Sequence, residues 1–172
     1  PLESAVHREL LNRNIKVGVA ESCTGGGLGS LLTASPGSSR FFIGGILSYN
    51  NDLKKSLLGV REETLATHGA VSFQTAREMA LGARASLGVD AALSITGVAG
   101  PDGGSEEKPV GTFFVGYSSE NKTYSLKGFC PYGRGRYHRG STGNYRQKGL
   151  RERRNTRRGC PGANHLRGKS FC

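Results

Sequence analysis

The chain has 172 residues, with 24 Lys+Arg against 13 Asp+Glu, a formal net charge of +11, and four cysteines. That length suits one domain; no apolar run is long enough to span a membrane as a helix, and the cysteines form no Cys-x-x-Cys pair that would hold zinc. The charge is uneven: residues 1–127 carry 12 basic and 12 acidic side chains, whereas 128–172 carry 12 basic and one acidic, Glu152.

In chain order, Leu2 to Asn12 places apolar residues at 2, 6, 10 and 11, a helical spacing. Ile15 to Ala20 reads as a buried strand. It stops at Glu21-Ser22-Cys23-Thr24, and Gly25-Gly26-Gly27 lead into a helix predicted over Thr24 to Ala34, ended near Pro36-Gly37. Phe41 to Ser48 is a second strand. Asn51 to Leu58 and Glu62 to His68 are short helices, the second closed by Gly69. Ser72 is an N-cap for a helix reaching Leu87, with an apolar stripe at Phe73, Ala76, Met79, Ala80, Ala83 and Leu87 and Gly88 as its stop. Ala91 to Ile95 is a strand, and Thr96 to Pro109 a Gly-rich loop. Val110 to Tyr117 and Thr123 to Phe129 form a final hairpin. Helices alternating with apolar strands give a layered α/β fold, and the hairpin makes the sheet mixed.

From Gly128 onward the composition changes. There is no Val, Ile or Met, Leu stands only at 150 and 166, and nine glycines accompany Arg-rich runs such as 151–158. Such a segment buries too little apolar surface to offset its ordering entropy. The expectation is a globular domain at 1–129 and an irregular Arg/Gly-rich tail at 130–172. No secretion signal is visible, so a reducing, cytoplasmic setting without membrane contact is expected. A chain opening on Pro1 reads as part of something longer.

Two segments could carry chemistry. A strand turning sharply into a helix sets its turn residues beside free backbone N–H groups, a good place for a nucleophile and for oxyanion donors. Ser22 occupies that turn, which is not the Gly-x-Ser-x-Gly elbow of α/β-hydrolases. Serine needs a base, and Tyr49 and Lys54, at a strand end and in a first helical turn, reach the same sheet edge if the strands are neighbours. A desolvated Lys54 would have a lowered pKa and could take the serine proton. The plainer alternative is a capped turn and a solvated lysine, and Cys23 is a rival nucleophile. The loop Thr96-Gly97-Val98-Ala99-Gly100-Pro101-Asp102-Gly103-Gly104-Ser105, with Lys108 beyond, could wrap a phosphate with backbone amides, or be an ordinary loop. No metal cluster is visible.

Taken together, Ala20–Gly26, Ser48–Lys54 and Thr96–Gly111 resemble, in order, three motifs of the C-terminal domain of the bacterial competence/damage-inducible protein CinA, which also occurs alone as nicotinamide-nucleotide amidohydrolase. The resemblance covers roughly residues 1–127 and implies a three-layer α/β/α sandwich. It implies hydrolysis of nicotinamide mononucleotide to nicotinate mononucleotide and ammonia, without metal or cofactor. The family's catalytic Ser, Tyr and Lys match Ser22, Tyr49 and Lys54. Glu21, Thr24 and Gly25 of the turn, and Thr96, Gly97, Gly100 and Lys108 of the loop, are the candidate substrate-binding residues. Self-association is left open.

The resemblance ends where the composition changes. The family continues with a Gly-x-Arg-like stretch and a long amphipathic helix that covers the sheet. Here Cys130 to Arg139 and the basic tail stand instead, with Arg134 and Arg136 as weak counterparts of the family's arginine. A reading-frame shift near residues 128–133 is the expected cause. The competing reading is a non-catalytic binding module whose basic tail contacts nucleic acid.

Overall fold

A computed structural model of the chain describes residues 2–131. The expectations for Arg134, Arg136 and the rest of the tail lie outside the described residues. The elements are α1 (Leu2–Asn12), β1 (Val17–Glu21), α2 (Gly27–Thr33), a 3-10 turn (Ser38–Arg40), β2 (Phe42–Leu47), α3 (Asn51–Leu58), α4 (Glu62–His68), α5 (Phe73–Leu87), β3 (Ala91–Gly97), β4 (Thr112–Ser119) and β5 (Thr123–Phe129).

The five strands form one sheet in the order β2-β1-β3-β4-β5. β1 pairs parallel with β2 and with β3, whereas β3–β4 and β4–β5 are antiparallel. The sheet is therefore mixed, as the final hairpin requires. Helices lie on both faces. α5 covers one: a Cβ at Gly18 would meet Leu87 of α5, and one at Gly116 would meet the Ala76 carbonyl. α2 lies on the other, where Gly29 stands beside Val19 and Phe42. The core gathers on the α5 side from Ala20, Leu58, Val60, Met79, Ala83, Val89 and Ala92, joined by Ile46, Leu65 and Leu87. This is where the predicted stripe of α5 points: Ala76, Met79, Ala80 and Ala83 are all fully enclosed. Phe73, counted in that stripe, is 45% exposed and packs its ring edge-on against the buried Phe114.

The differences from the sequence reading concern boundaries. α2 begins at Gly27 rather than Thr24, because Gly25 and Gly26 take positive φ of 60° and 101° and cannot continue a right-handed helix. β1 extends through Glu21, and β3 continues through Thr96 and Gly97, residues expected in the loop. β4 starts at Thr112 rather than Val110, since Gly111 has φ 98° and turns the chain into the strand. Among the described residues no helix is long and apolar enough to cross a membrane.

Candidate active site

Three strand ends are stitched together at one edge of the sheet. The Ser22 N–H continues the β1–β3 ladder by donating to the Ile95 carbonyl at 3.1 Å, and the Ser48 N–H, just past β2, donates to the Glu21 carbonyl at 2.8 Å. Ser22 is thus held between both neighbouring strands. The chain places β2 on one side of β1 and β3 on the other, so the strand order reverses here. The carboxyl end of parallel strands at such a reversal is where open α/β sheets form ligand crevices.

Lys54 enters from the first turn of α3, which Asn50 caps by accepting the Leu53 N–H at 3.0 Å. The lysine is 1% exposed, against 8% for Ser22, so access to the pair is at the hydroxyl and not at the amine. Lys54 Nζ lies 3.2 Å from Ser22 Oγ, 2.8 Å from the Ser48 carbonyl oxygen and 3.1 Å from that of Tyr49. A lysine ammonium has three N–H donors, and three oxygens receive them. A neutral amine keeps two donors for the two carbonyls and turns its lone pair on the third neighbour, the serine hydroxyl. Burial pulls the Lys54 pKa down from its ordinary range, against an upward pull from neighbouring Cys23. A buried amine aimed at a serine hydroxyl and biased toward its neutral form can act as a general base.

The turn around Ser22 is closed on itself. The Gly25 N–H donates to the Ser22 carbonyl at 3.1 Å. The Glu21 carboxylate, 2% exposed, receives Thr24 Oγ1 at 2.5 Å and the N–H groups of Gly26, Leu28 and Gly29 at 3.1, 3.0 and 2.7 Å. Cys23 follows Ser22 and is half-buried.

The Gly-rich loop leaves the same edge from the end of β3, and its base is closed by bonds between Val98, Gly111 and Thr112. The loop residues have internal duties. Thr96 Oγ1 donates to the Ala70 carbonyl at 2.8 Å, and Lys108 Nζ to the His68 carbonyl at 3.1 Å. A Cβ at Gly97 would stand 2.7 Å from the Thr112 carbonyl oxygen, and one at Gly100 2.4 Å from Val110 Cγ1. Packing against Val110 and the start of β4 therefore demands these two glycines.

The structure thus brings Ser22, Lys54 and the backbone of Tyr49 into contact, and sets Glu21, Thr24 and Gly25 in the turn itself. The Tyr49 ring is 59% exposed, and the residue meets Lys54 through its carbonyl. Sequence reading missed the Ser48 carbonyl, the shortest contact of Lys54. No side-chain pattern signals it; only its place at the end of β2 could have.

A match to the CinA C-terminal domain spans residues 1–143 of this chain. The chain belongs to the CinA C-terminal domain family. A CinA-like protein of Leptospira interrogans is 48% identical over 126 residues, 73% of this chain and 30% of that protein. A CinA-like protein of Synechococcus is 57% identical over 114 residues, 66% of this chain and 27% of that protein. This CinA domain therefore spans less than a third of the length of these relatives. Solved structures agree on the fold: competence damage-inducible protein A from Klebsiella pneumoniae has a TM-score of 0.75 at 33% identity, covering 88% of this chain and 93% of its own. A competence/damage inducible protein from Agrobacterium tumefaciens has a TM-score of 0.71 at 41% identity, covering 77% and 80%.

Proposed function

We propose that this CinA domain hydrolyses the carboxamide of a pyridine nucleotide, nicotinamide mononucleotide in the first place, with Ser22 as nucleophile and Lys54 as general base. The observation that carries the reading is the buried Lys54 amine, 3.2 Å from Ser22 Oγ and held by two carbonyls. Family membership supplies the substrate class, since CinA C-terminal domains in general are nicotinamide mononucleotide amidohydrolases.

Neutral Lys54 takes the Ser22 proton as Oγ attacks the amide carbon. The tetrahedral intermediate collapses with cleavage of the C–N bond. The Lys54 ammonium returns the proton to the leaving nitrogen, so ammonia departs and an ester to Ser22 remains. Water, deprotonated by Lys54, then attacks that ester and frees the carboxylate and the serine. Tyr49 orients Lys54 through its carbonyl. The Thr96–Ser105 loop and Lys108, at the same edge of the sheet, form the other wall of the nucleotide site.

The test is ammonia release and nicotinate mononucleotide formation on incubation with nicotinamide mononucleotide. Stoichiometric formation of the two products supports the reading. A chain that folds and binds the nucleotide without releasing ammonia contradicts it, and favours a binding module.

A further inference from the structure

The residue that precedes the nucleophile has a task of its own. α2 follows Gly26, an N-cap in the left-handed region with no side chain to accept a hydrogen bond. The first N–H groups of a helix lack intrahelical partners and need acceptors from elsewhere. Glu21, five residues before the cap and at the end of β1, reaches over the turn and supplies them. One carboxylate oxygen takes the Gly29 N–H; the other takes those of Gly26 and Leu28 together with Thr24 Oγ1.

Two consequences follow from that count. Glu21 is 2% exposed and its carboxylate already receives four donors, so it faces into the turn and is closed off from a substrate. The same bonds tie the end of β1 to the start of α2, and the segment between them is the one that carries Ser22. Its backbone is held at the Ser22 N–H by Ile95 of β3 and at the Ser22 carbonyl by Gly25, bonds that restrain the turn as it presents the hydroxyl to Lys54.

We infer that Glu21 is a positioning residue for the nucleophile: its carboxylate locks the Ser22–Gly26 turn in the geometry that aims Ser22 Oγ at Lys54, and it does not contact substrate. The inference rests on the Ser22–Lys54 reading and offers a positioning role for Glu21 in place of substrate binding. Glutamine is the informative replacement. It keeps the shape, but its NH2 group faces N–H groups where an acceptor is required.

The test reads Ser22 directly with a fluorophosphonate. Ser22 Oγ bonds to phosphorus, fluoride leaves, and the serine proton passes to Lys54, so no nucleotide is needed. Glu21→Gln is expected to slow labelling on the order of 100-fold, the scale of a small misplacement of a reacting group. The pH midpoint of labelling should stay where it is, because the base is untouched. Thr24→Val, which removes one of the four bonds, should slow labelling less, and serves if the glutamine variant does not fold. Glu78→Gln, which loosens the α4–α5 contact through Arg61 and Thr64, should leave labelling unchanged. Wild-type labelling rates in Glu21→Gln, a shifted midpoint, or equal slowing in Glu78→Gln would each overturn the inference, as would a wild-type Ser22 that does not label. A wild-type chain that labels at Ser22 yet releases no ammonia would sink the proposed function and leave this inference standing.

Discussion

At the scale of single residues, the account rests on where one amine is kept. An ammonium out of water is costly unless its donors are met, and Lys54 meets three oxygens while burial still lowers its pKa. In the proposed mechanism the active form is the neutral amine. Amide hydrolysis is therefore expected to rise with pH through a midpoint below the ordinary lysine value of about 10.4, and to fall away as pH drops and Lys54 takes up its proton. A pH profile of kcat/KM checks this. The same shift sets a stability effect of known sign. The unfolded chain holds the Lys54 proton more tightly than the folded one, so this residue opposes folding at low pH, and the opposition fades as pH rises toward the unfolded value. Lys54→Arg should be inactive at every pH, because a guanidinium does not give up its proton. Ser22→Ala should lower kcat by on the order of 10⁴-fold or more with an unchanged melting temperature; turnover near that of the wild type would move the nucleophile elsewhere, to Cys23 first. The meeting of Ser22 and Lys54 was legible because both are side chains at a strand end and a helix start, whereas Tyr49 meets Lys54 through its backbone. The Ser48 carbonyl was not, because a backbone acceptor leaves no mark in residue type.

At the scale of elements, local signals were read well and long-range pairings were not. Ser72 caps α5 by accepting the Thr75 N–H, and Gly88 ends it in the left-handed region, both as their residue types demand. The partner of Arg61 could not be read. Arg61 opens α4 without a capping side chain of its own, and its N–H is taken by Glu78 of α5, 17 residues away. The same carboxylate receives Arg61 Nε and Nη2 and Thr64 Oγ1. Only the packing of α4 on α5 brings these groups together. Burial raises the Glu78 pKa, but the bonds from Arg61 and Thr64 outweigh it and hold the carboxyl below its ordinary value. Its stabilisation is present above the unfolded pKa and is lost as pH falls through the folded one. Glu78→Gln is expected to cost about 1–3 kcal/mol in urea unfolding at neutral pH, and less in acid, with catalysis unchanged. A variant as stable as the wild type would show that this network holds nothing.

At the scale of the whole molecule, the sequence divides more sharply than its length suggests. Residues 1–131 have no net formal charge and the remainder carries all of the +11. Any affinity for nucleic acid should therefore reside beyond Pro131. Binding of the full chain to duplex DNA should weaken steeply with salt, and a chain stopped at Pro131 should not bind; binding that survives the truncation would revive the competing binding-module reading. The sheet bears on the same boundary. Tyr124 and Leu126 of β5 are 40% and 60% exposed on the face opposite α5, where α2 packs on β1 and β2. Sequencing the coding DNA through codons 120–140 checks the frameshift; the account expects another frame there that encodes an apolar helical stripe, and its absence would make the basic tail a genuine feature. The central claim is a covalent one, and the mass of the intact chain tests it most directly. Quenched during turnover with nicotinamide mononucleotide, the protein should carry one acyl-nucleotide adduct, on the peptide that contains Ser22, and Ser22→Ala should carry none. Turnover without any adduct, or an adduct on Cys23, would contradict the account.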